Sequence, residues 1–175
     1  MDLNGIAKTT YYQLHSRHDF VTQNTLKGTS KMTKYIPSPR DWVREQVELY
    51  ESSGGKEGTT LRETGLPVII VTNTGNKTGA VRKTPLMRAV DGSNYILIAS
   101  TGGAAKHPVW YYNLRANPAV KIQDESDIYD MTVREIVNSN ERKRLWDIAV
   151  AAYPPYEEYQ KKTDRVIPVF LAEPS

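Results

Sequence analysis

The stretch from Pro67 to Ala99, PVIIVTNTGNKTGAVRKTPLMRAVDGSNYILIA, decides the fold. It holds three strand-like runs, at 67–72, 82–90 and 95–99, which are rich in branched apolar residues. Asp91-Gly92, between the second and third runs, is a strong hairpin signal. Because no long helical segment separates these runs, the stretch predicts antiparallel strands and disfavours a doubly wound parallel sheet.

The rest of the chain adds short helices and further strands. Val43, Val47 and Tyr50 recur at helical spacing after Pro39 and predict a helix that ends near 52–55. Additional strands are predicted at 119–123, 128–137 and 166–172, and additional helices at 108–117, from about 139 to 152 and from about 156 to 163. Strands in meander order with inserted helices predict a mainly β domain with short helices, a closed or split antiparallel barrel.

Length and composition indicate one globular domain. The chain has 175 residues, of which 39% are hydrophobic and 25% charged. It has no cysteine, which excludes disulfides and thiol nucleophiles and suits a reducing, cytoplasmic compartment. The longest apolar run, 67–71, is far below the roughly 20 residues of a membrane-spanning helix. Residues 1–31 show no sustained periodicity, so we expect a poorly ordered leader there and the folded domain at 32–175.

Positive charge is concentrated in one segment. Residues 75–121 contain seven Lys or Arg and one acid, although the net charge of the whole chain is only +3. Turn glycines and hydroxyl residues lie between these cations, so backbone donors and charges can converge on an anion. A solvated basic hairpin is the alternative interpretation of the turn at 74–79.

The familiar catalytic motifs are missing from the sequence. The turn at 75–79 has neither the spacing of a triphosphate-binding loop nor that of a dinucleotide fingerprint. His107 is the only histidine outside the leader, so no metal site is expected. No serine lies in a nucleophile elbow. If the chain is an enzyme, a bound organic cofactor is therefore expected to supply the reactivity.

Tyrosine is the prominent aromatic residue, with eleven copies against two Phe and three Trp. Tyr153, Tyr156 and Tyr159 lie three residues apart beside Pro154-Pro155. They predict either a packing stripe or a cover over a flat ring, with a phenol free to donate a proton. In the helix that follows Pro108, we expect Trp110 in the core and one neighbouring tyrosine at a pocket.

Three blocks of sequence, at 72–86, 99–118 and 153–169, together resemble the deazaflavin-dependent nitroreductase family of actinobacteria. Their motifs are T-x-T-G-x-K-T-G-x-x-R-x-x-P-L, A-S-x-G-G-x-x-K-x-P-x-W-Y-x-N-L-x-A-N-P and Y-P-x-Y-x-x-Y-Q-x-x-T-x-R-x-I-P-V. The resemblance covers roughly residues 39–174. It implies a split β-barrel related to flavin-mononucleotide-binding barrels, and coenzyme F-420, an 8-hydroxy-5-deazaflavin with a phospholactyl polyglutamate tail.

The resemblance also implies site residues. Phosphate and tail contacts fall on Lys77, Thr78, Arg82 and Lys83, near Asn76 and Thr84. The ring would be lined by Pro85, Leu86, Met87, Ile98, Ala99, Ser100, Thr101, Val109, Trp110, Tyr111, Tyr112, Asn113 and Tyr156. The substrate would be bordered by Ser100, Tyr153, Tyr156 and Tyr159, with Tyr156, Tyr153 and Ser100 as the catalytic candidates. Asn76 stands where the family often has Arg, and Thr101 where Lys is common, so two tail cations are expected to be missing.

The function implied is hydride transfer from reduced F-420 to an electron-poor small molecule. Quinones, nitroaromatic or nitroimidazole compounds and α,β-unsaturated lactones or ketones are the candidate acceptors. Peripheral membrane contact is compatible with this function, and the sequence does not define an oligomeric state. The alternatives are a barrel that binds flavin mononucleotide or haem, and a non-catalytic F-420 carrier. A nucleic-acid-binding module is disfavoured because the basic segment lacks the aromatic motif of an RNA-binding sheet.

Overall fold

A computed structural model describes residues 34–175, so the leader predicted at 1–31 lies outside the described residues. The helices are α1 (Asp41–Ser52), α2 (Val109–Ala116), α3 (Ser139–Ala152) and α4 (Pro155–Lys161). The strands are β1 (Val68–Thr74), β2 (Val81–Met87), β3 (Val90–Asp91), β4 (Asn94–Ile98), β5 (Ala119–Asp124), β6 (Asp127–Glu135) and β7 (Val169–Pro174). Single 3₁₀ turns lie at Arg62–Thr64 and Thr101–Gly103.

The seven strands form one antiparallel sheet in the order β2-β1-β5-β6-β7-β4-β3. The sheet curls until β2, at one edge, approaches β4 near the other edge. The predicted split barrel is therefore confirmed. The predicted meander order is wrong, because β1 pairs with β5 and β7 lies between β6 and β4. Turn residues specify the local hairpins, whereas these long-range pairings leave no local signal.

The sheet is buried on both faces, and each face has its own hydrophobic cluster. Alternate residues of β1 contribute to the two sides, with Ile70 on one and Ile69 on the other. The first, which we call the tyrosine-side cluster, includes residues of α1, α3 and α4. The second, the α2-side cluster, includes Trp110 and Leu114 of α2. A strand that is buried on both sides reads as a continuous apolar run, which explains the sequence at 67–71.

Local chemistry fixes the helix ends and their docking. The Asn138 side chain accepts hydrogen bonds from the backbone N–H groups of Asn140 and Glu141 and so caps α3, as predicted. Tyr50 of α1 is fully buried, and its hydroxyl donates to the carbonyl of Val68 and accepts from the Glu125 N–H at 2.6 Å. This phenol therefore ties α1 to β1 and to the turn between β5 and β6.

The outer edge of β2 is partly covered by the segment just before α1. Tyr35 forms a parallel bridge with Val81. The Val81 N–H donates to Lys34 O at 3.0 Å, and the Ile36 N–H donates to Val81 O at 3.1 Å. Within residues 34–175, no helix has the length and apolar character needed to cross a bilayer.

Candidate active site

The turn between β1 and β2 is anchored to α2 by a chain of amides. Asn113 of α2 is buried, and its side-chain N–H donates to Asn73 Oδ1 at 2.9 Å. Its own Oδ1 accepts from the backbone N–H of Asn76 at 3.0 Å. Asn113 was predicted to touch the cofactor, but both of its polar atoms are engaged within the protein. Its observed contacts hold the turn, and Asn73 is a partner that the sequence did not reveal.

The basic segment contains fewer free charges than its composition suggests. Four of the seven cations at 75–121 form ion pairs: Lys83 with Glu51, Arg88 with Asp124, Arg115 with Glu135, and Lys121 with Asp130. The other three, which we call the unpaired cations, have no carboxylate within 4.0 Å in the part of the chain that the structure describes: Lys77, Arg82 and Lys106. Lys106 was not among the predicted binding residues.

Lys83 is placed differently from its predicted neighbours in the turn. Its ammonium group lies 2.5 and 2.6 Å from the two Glu51 carboxylate oxygens and 4.9 Å from the centre of the Tyr35 ring. Strand alternation puts Arg82 and Thr84 on the opposite face of β2. The charge of Lys83 is therefore compensated within the fold, while Lys77 and Thr78 are exposed in the turn.

The residues predicted to line the ring are distributed over both clusters. Met87, Ile98 and Tyr156 are brought together in the tyrosine-side cluster. Ala99, Trp110 and Tyr111 belong to the α2-side cluster, against which Leu86 packs. Trp110 is in the core, as expected, and Tyr112 is the exposed tyrosine of α2. Val109 of α2 is also exposed, so Val109 and Tyr112 are both open to a ligand. Pro85 is buried.

A strained turn follows β4. Thr101, Gly102 and Gly103 have φ values of +48°, +66° and +83°. Only glycine adopts this region freely, so the branched side chain of Thr101 is held there at a cost. A Cβ at Gly103 would lie 2.7 Å from the Tyr159 carbonyl oxygen, so this glycine allows α4 to pack directly on the turn. Ser100, just before the turn, is buried, and its hydroxyl has no hydrogen-bond partner within residues 34–175.

Three tyrosines of the Tyr153–Tyr159 segment form an aromatic group beside this turn. The hydroxyls of Tyr153 and Tyr159 lie 3.0 Å apart, and the Tyr153 and Tyr156 rings meet edge to face at 5.0 Å. Burial raises the pKa of Tyr156 above its ordinary value, and burial with the Tyr159 bond raises the pKa of Tyr153 to about 12. Both phenols therefore stay protonated at neutral pH. The Tyr156 hydroxyl has no hydrogen-bond partner among residues 34–175.

Residues 42–174 match the family model described as F420H(2)-dependent quinone reductase. The chain belongs to this family. It is thus an oxidoreductase that depends on coenzyme F-420, as the sequence predicted. An F420H(2)-dependent quinone reductase of Mycobacterium tuberculosis is 34% identical over 131 residues, which are 74% of this chain and 87% of that protein.

Two solved structures are similar to this F-420-dependent reductase. One, described as an F420-H2 dependent reductase (FDR-A), is 50% identical, with a TM-score of 0.58; the match covers 61% of this chain and 94% of that one. The other, described as a domain-swapped dimer, is 47% identical, with a TM-score of 0.60; the match covers 78% of this chain and all of that one. These similarities agree with the split-barrel architecture.

The residues of the turns suit this cofactor. A phosphodiester and several carboxylates need cations and N–H or O–H donors, and the unpaired cations have no carboxylate partner within the described residues. The Thr78 hydroxyl accepts from the Ala80 N–H, so its own hydrogen is free to be donated. The chemistry of these groups therefore fits an anionic tail better than a neutral ligand.

Proposed function

We propose that the chain reduces quinones with reduced F-420, and that Tyr153, Tyr156, Tyr159 and Ser100 form the acceptor site. The observation that carries the proposal is the Tyr156 phenol. It is 5% exposed, protonated and without a hydrogen-bond partner in the described chain, although the two neighbouring phenols are bonded to each other. The phenol oxygen is not among the fully buried unpartnered atoms of the described residues, so it reaches the surface and is free to donate to a ligand.

Bound F-420 in its reduced form supplies the hydride. As a quinone is reduced, negative charge develops on its carbonyl oxygen. Tyr156 can donate a hydrogen bond to that oxygen without first exchanging its proton with solvent. The rings of Tyr153 and Tyr159 each lie edge to face with the Tyr156 ring. They restrict water around the quinone oxygen, which strengthens its hydrogen bond with Tyr156.

We further propose that Lys77, Arg82 and Lys106 hold the phosphate and tail, with Thr78 as a hydroxyl donor. Lys77 and Lys106 are exposed, Arg82 is half-buried, and none of the three forms an ion pair within the described residues, which supports this assignment. Lys83 contributes less, because Glu51 already compensates its charge. The flat side of the cofactor would meet Val109 and Tyr112, the exposed face of α2.

Nitroaromatic compounds and α,β-unsaturated lactones are further candidate acceptors. Each accumulates negative charge on an oxygen after hydride addition, so the same tyrosine donor serves them. We also propose that residues 32–175 form the complete cofactor-binding unit and that residues 1–31 are dispensable for F-420 binding. The lack of cysteine supports a reducing cytoplasmic environment for this unit.

The test is a binding titration followed by turnover. F-420 fluorescence is titrated with protein, and oxidation of reduced F-420 is then followed with menadione, a nitroimidazole and an unsaturated lactone. Tyr156→Phe should lower kcat about 10²-fold with little change in F-420 affinity, because it removes one donor to the developing oxyanion. Tyr129→Phe is the matched control, since Tyr129 is an exposed phenol on β6.

Three outcomes would contradict the proposal. F-420 binding without oxidation by any acceptor would indicate a carrier. Tight binding of flavin mononucleotide or haem, with no F-420 binding, would indicate the related flavin or haem barrels. Equal kinetics for Tyr156→Phe and Tyr129→Phe would remove Tyr156 from the acceptor site and leave the cofactor assignment intact.

A further inference from the structure

The Arg165 side chain, in the segment between α4 and β7, forms hydrogen bonds with several backbone carbonyls of residues 99–104. Its Nη2 donates to the carbonyl oxygens of Ala99 at 3.0 Å and Ser100 at 2.8 Å. Its Nε donates to Ala104 O at 2.9 Å, and its Nη1 lies 3.1 Å from His107 Nδ1. These partners flank the strained turn, since Ala99 and Ser100 precede it and Ala104 and His107 lie in the loop that leads into α2.

The stretch needs such an external clamp. Its three consecutive positive-φ residues begin with Thr101, and only two backbone bonds close the turn, from the Gly103 N–H to Ser100 O and from the Ala104 N–H to Thr101 O. The carbonyls of residues 99, 100 and 104 point to one place, where they would repel one another without a donor between them. A guanidinium has five N–H groups in a planar fork, whereas a lysine ammonium cannot match that geometry.

Arg165 is itself held by the tyrosine helix. Gln160 of α4 donates through Nε2 to Arg165 O at 2.8 Å, and its Oε1 accepts from the Ile167 N–H at 2.9 Å. The Gly103 backbone also packs on Tyr159. Arg165 therefore lies between α4, which carries the proposed acceptor-site tyrosines, and the turn that begins at Ser100.

We propose that Arg165 is a positioning residue that sets the spacing between Tyr156 on α4 and the Ser100 turn. The inference rests on the proposed function for its catalytic consequence, and on the contacts of Arg165 alone for its structural part. Small shifts between a hydrogen-bond donor and the reacting atoms cost large factors in rate. Loss of the fork should loosen the turn and lower turnover, while Lys77 and Arg82, which Arg165 does not contact, keep F-420 bound.

The test compares Arg165→Gln and Arg165→Lys with the control Arg142→Gln. Arg142 of α3 donates one bond to Ile167 O at 2.8 Å, so it contacts the same segment without reaching the turn. In the cofactor-free protein, amide hydrogen exchange at Gly103 and Ala104 should accelerate at least about tenfold in both Arg165 variants, because the turn opens more often. The control should leave these two amides unchanged.

With F-420 present, both Arg165 variants should lose about 10- to 100-fold in kcat/KM for menadione, with F-420 affinity within about threefold of the parent. Unchanged exchange at Gly103 and Ala104 would overturn the inference. Full activity of Arg165→Lys would also overturn it, since charge without the fork would then suffice. If Arg165→Gln does not fold, the lysine variant carries both measurements. The exchange result does not depend on turnover, so it separates failure of this inference from failure of the proposed function.

Discussion

Thr101→Gly should stabilise the protein. Thr101 is a branched residue at φ +48°, and its buried hydroxyl has no hydrogen-bond partner among the described residues. The left-handed conformation costs about 1–2 kcal/mol for a residue with a Cβ. The unpaired hydroxyl costs about 1–3 kcal/mol, and the extra freedom of glycine in the unfolded chain offsets about 0.5–1 kcal/mol. We expect a net increase of about 1–4 kcal/mol in the free energy of unfolding.

The assay is urea and thermal unfolding of the cofactor-free protein. For a chain of this size, each kcal/mol raises Tm by about 2–4 °C. Thr101→Val is the matched control, because valine keeps the branched shape and removes only the hydroxyl. The difference between the two variants measures the backbone strain. A glycine variant no more stable than the parent would refute the strain argument, and a valine variant less stable than the parent would show that the hydroxyl is bonded.

The same variants connect stability with binding. A rigid, strained turn beside Ser100 is a preorganised wall for the cofactor, and glycine would make it flexible. Thr101→Gly should therefore gain stability while losing F-420 affinity. If Thr101→Gly raised both the stability and the F-420 affinity, the strain at Thr101 would not contribute to cofactor binding.

Three further predictions use other contacts. Lys77→Ala should weaken F-420 binding about fivefold at low salt, with the loss shrinking as salt is added, whereas Lys121→Ala, whose cation is paired with Asp130, should not. Burial and Arg165 lower the pKa of His107 below its ordinary 6.5, so the unfolded chain binds the proton more tightly. Stability should then fall as pH drops through about 6.5, and unfolding curves of His107→Gln should lose that part of the dependence. Tyr95→Phe should cost about 1.5–3 kcal/mol, because its hydroxyl donates to the Asp124 carboxylate at 2.9 Å; a smaller cost in urea unfolding would contradict this.

Local sequence signals predicted most of the elements. The Val43, Val47 and Tyr50 spacing gave the buried face of α1, and Asn138 caps α3 through its side chain. Asp91-Gly92 lies in the β3–β4 hairpin, with Gly92 at φ +64°. The strand predicted at 82–90 is in fact two strands, because the chain leaves the sheet at Arg88. Element type is local information, whereas the pairing of β1 with β5 depends on how the whole sheet closes.

The site was less readable from sequence. The sequence shows a cluster of seven cations, but only the fold shows that Glu51 and Asp124 compensate two of them. Those carboxylates are distant in sequence, so no spacing rule could have paired them. The sequence did not reveal that Asn113 also bonds the Asn73 side chain and the Asn76 backbone N–H. No local sequence pattern predicted the hydrogen bonds that Arg165 donates to three backbone carbonyls, although Arg165 is part of the family motif.

The short bridge between Tyr35 and the edge of β2 has a consequence for shortened versions of the protein. An exposed edge strand is a template on which a second molecule can add its own strand. The backbone of Lys34 and Ile36 occupies the N–H and C=O groups of Val81, so it denies part of that edge to other chains. A version that begins after residue 36 would leave these groups open and should self-associate by edge-to-edge pairing, whereas one that begins at Met32 should not. The first residue of a shortened chain therefore determines whether the edge of β2 is open to association at high protein concentration.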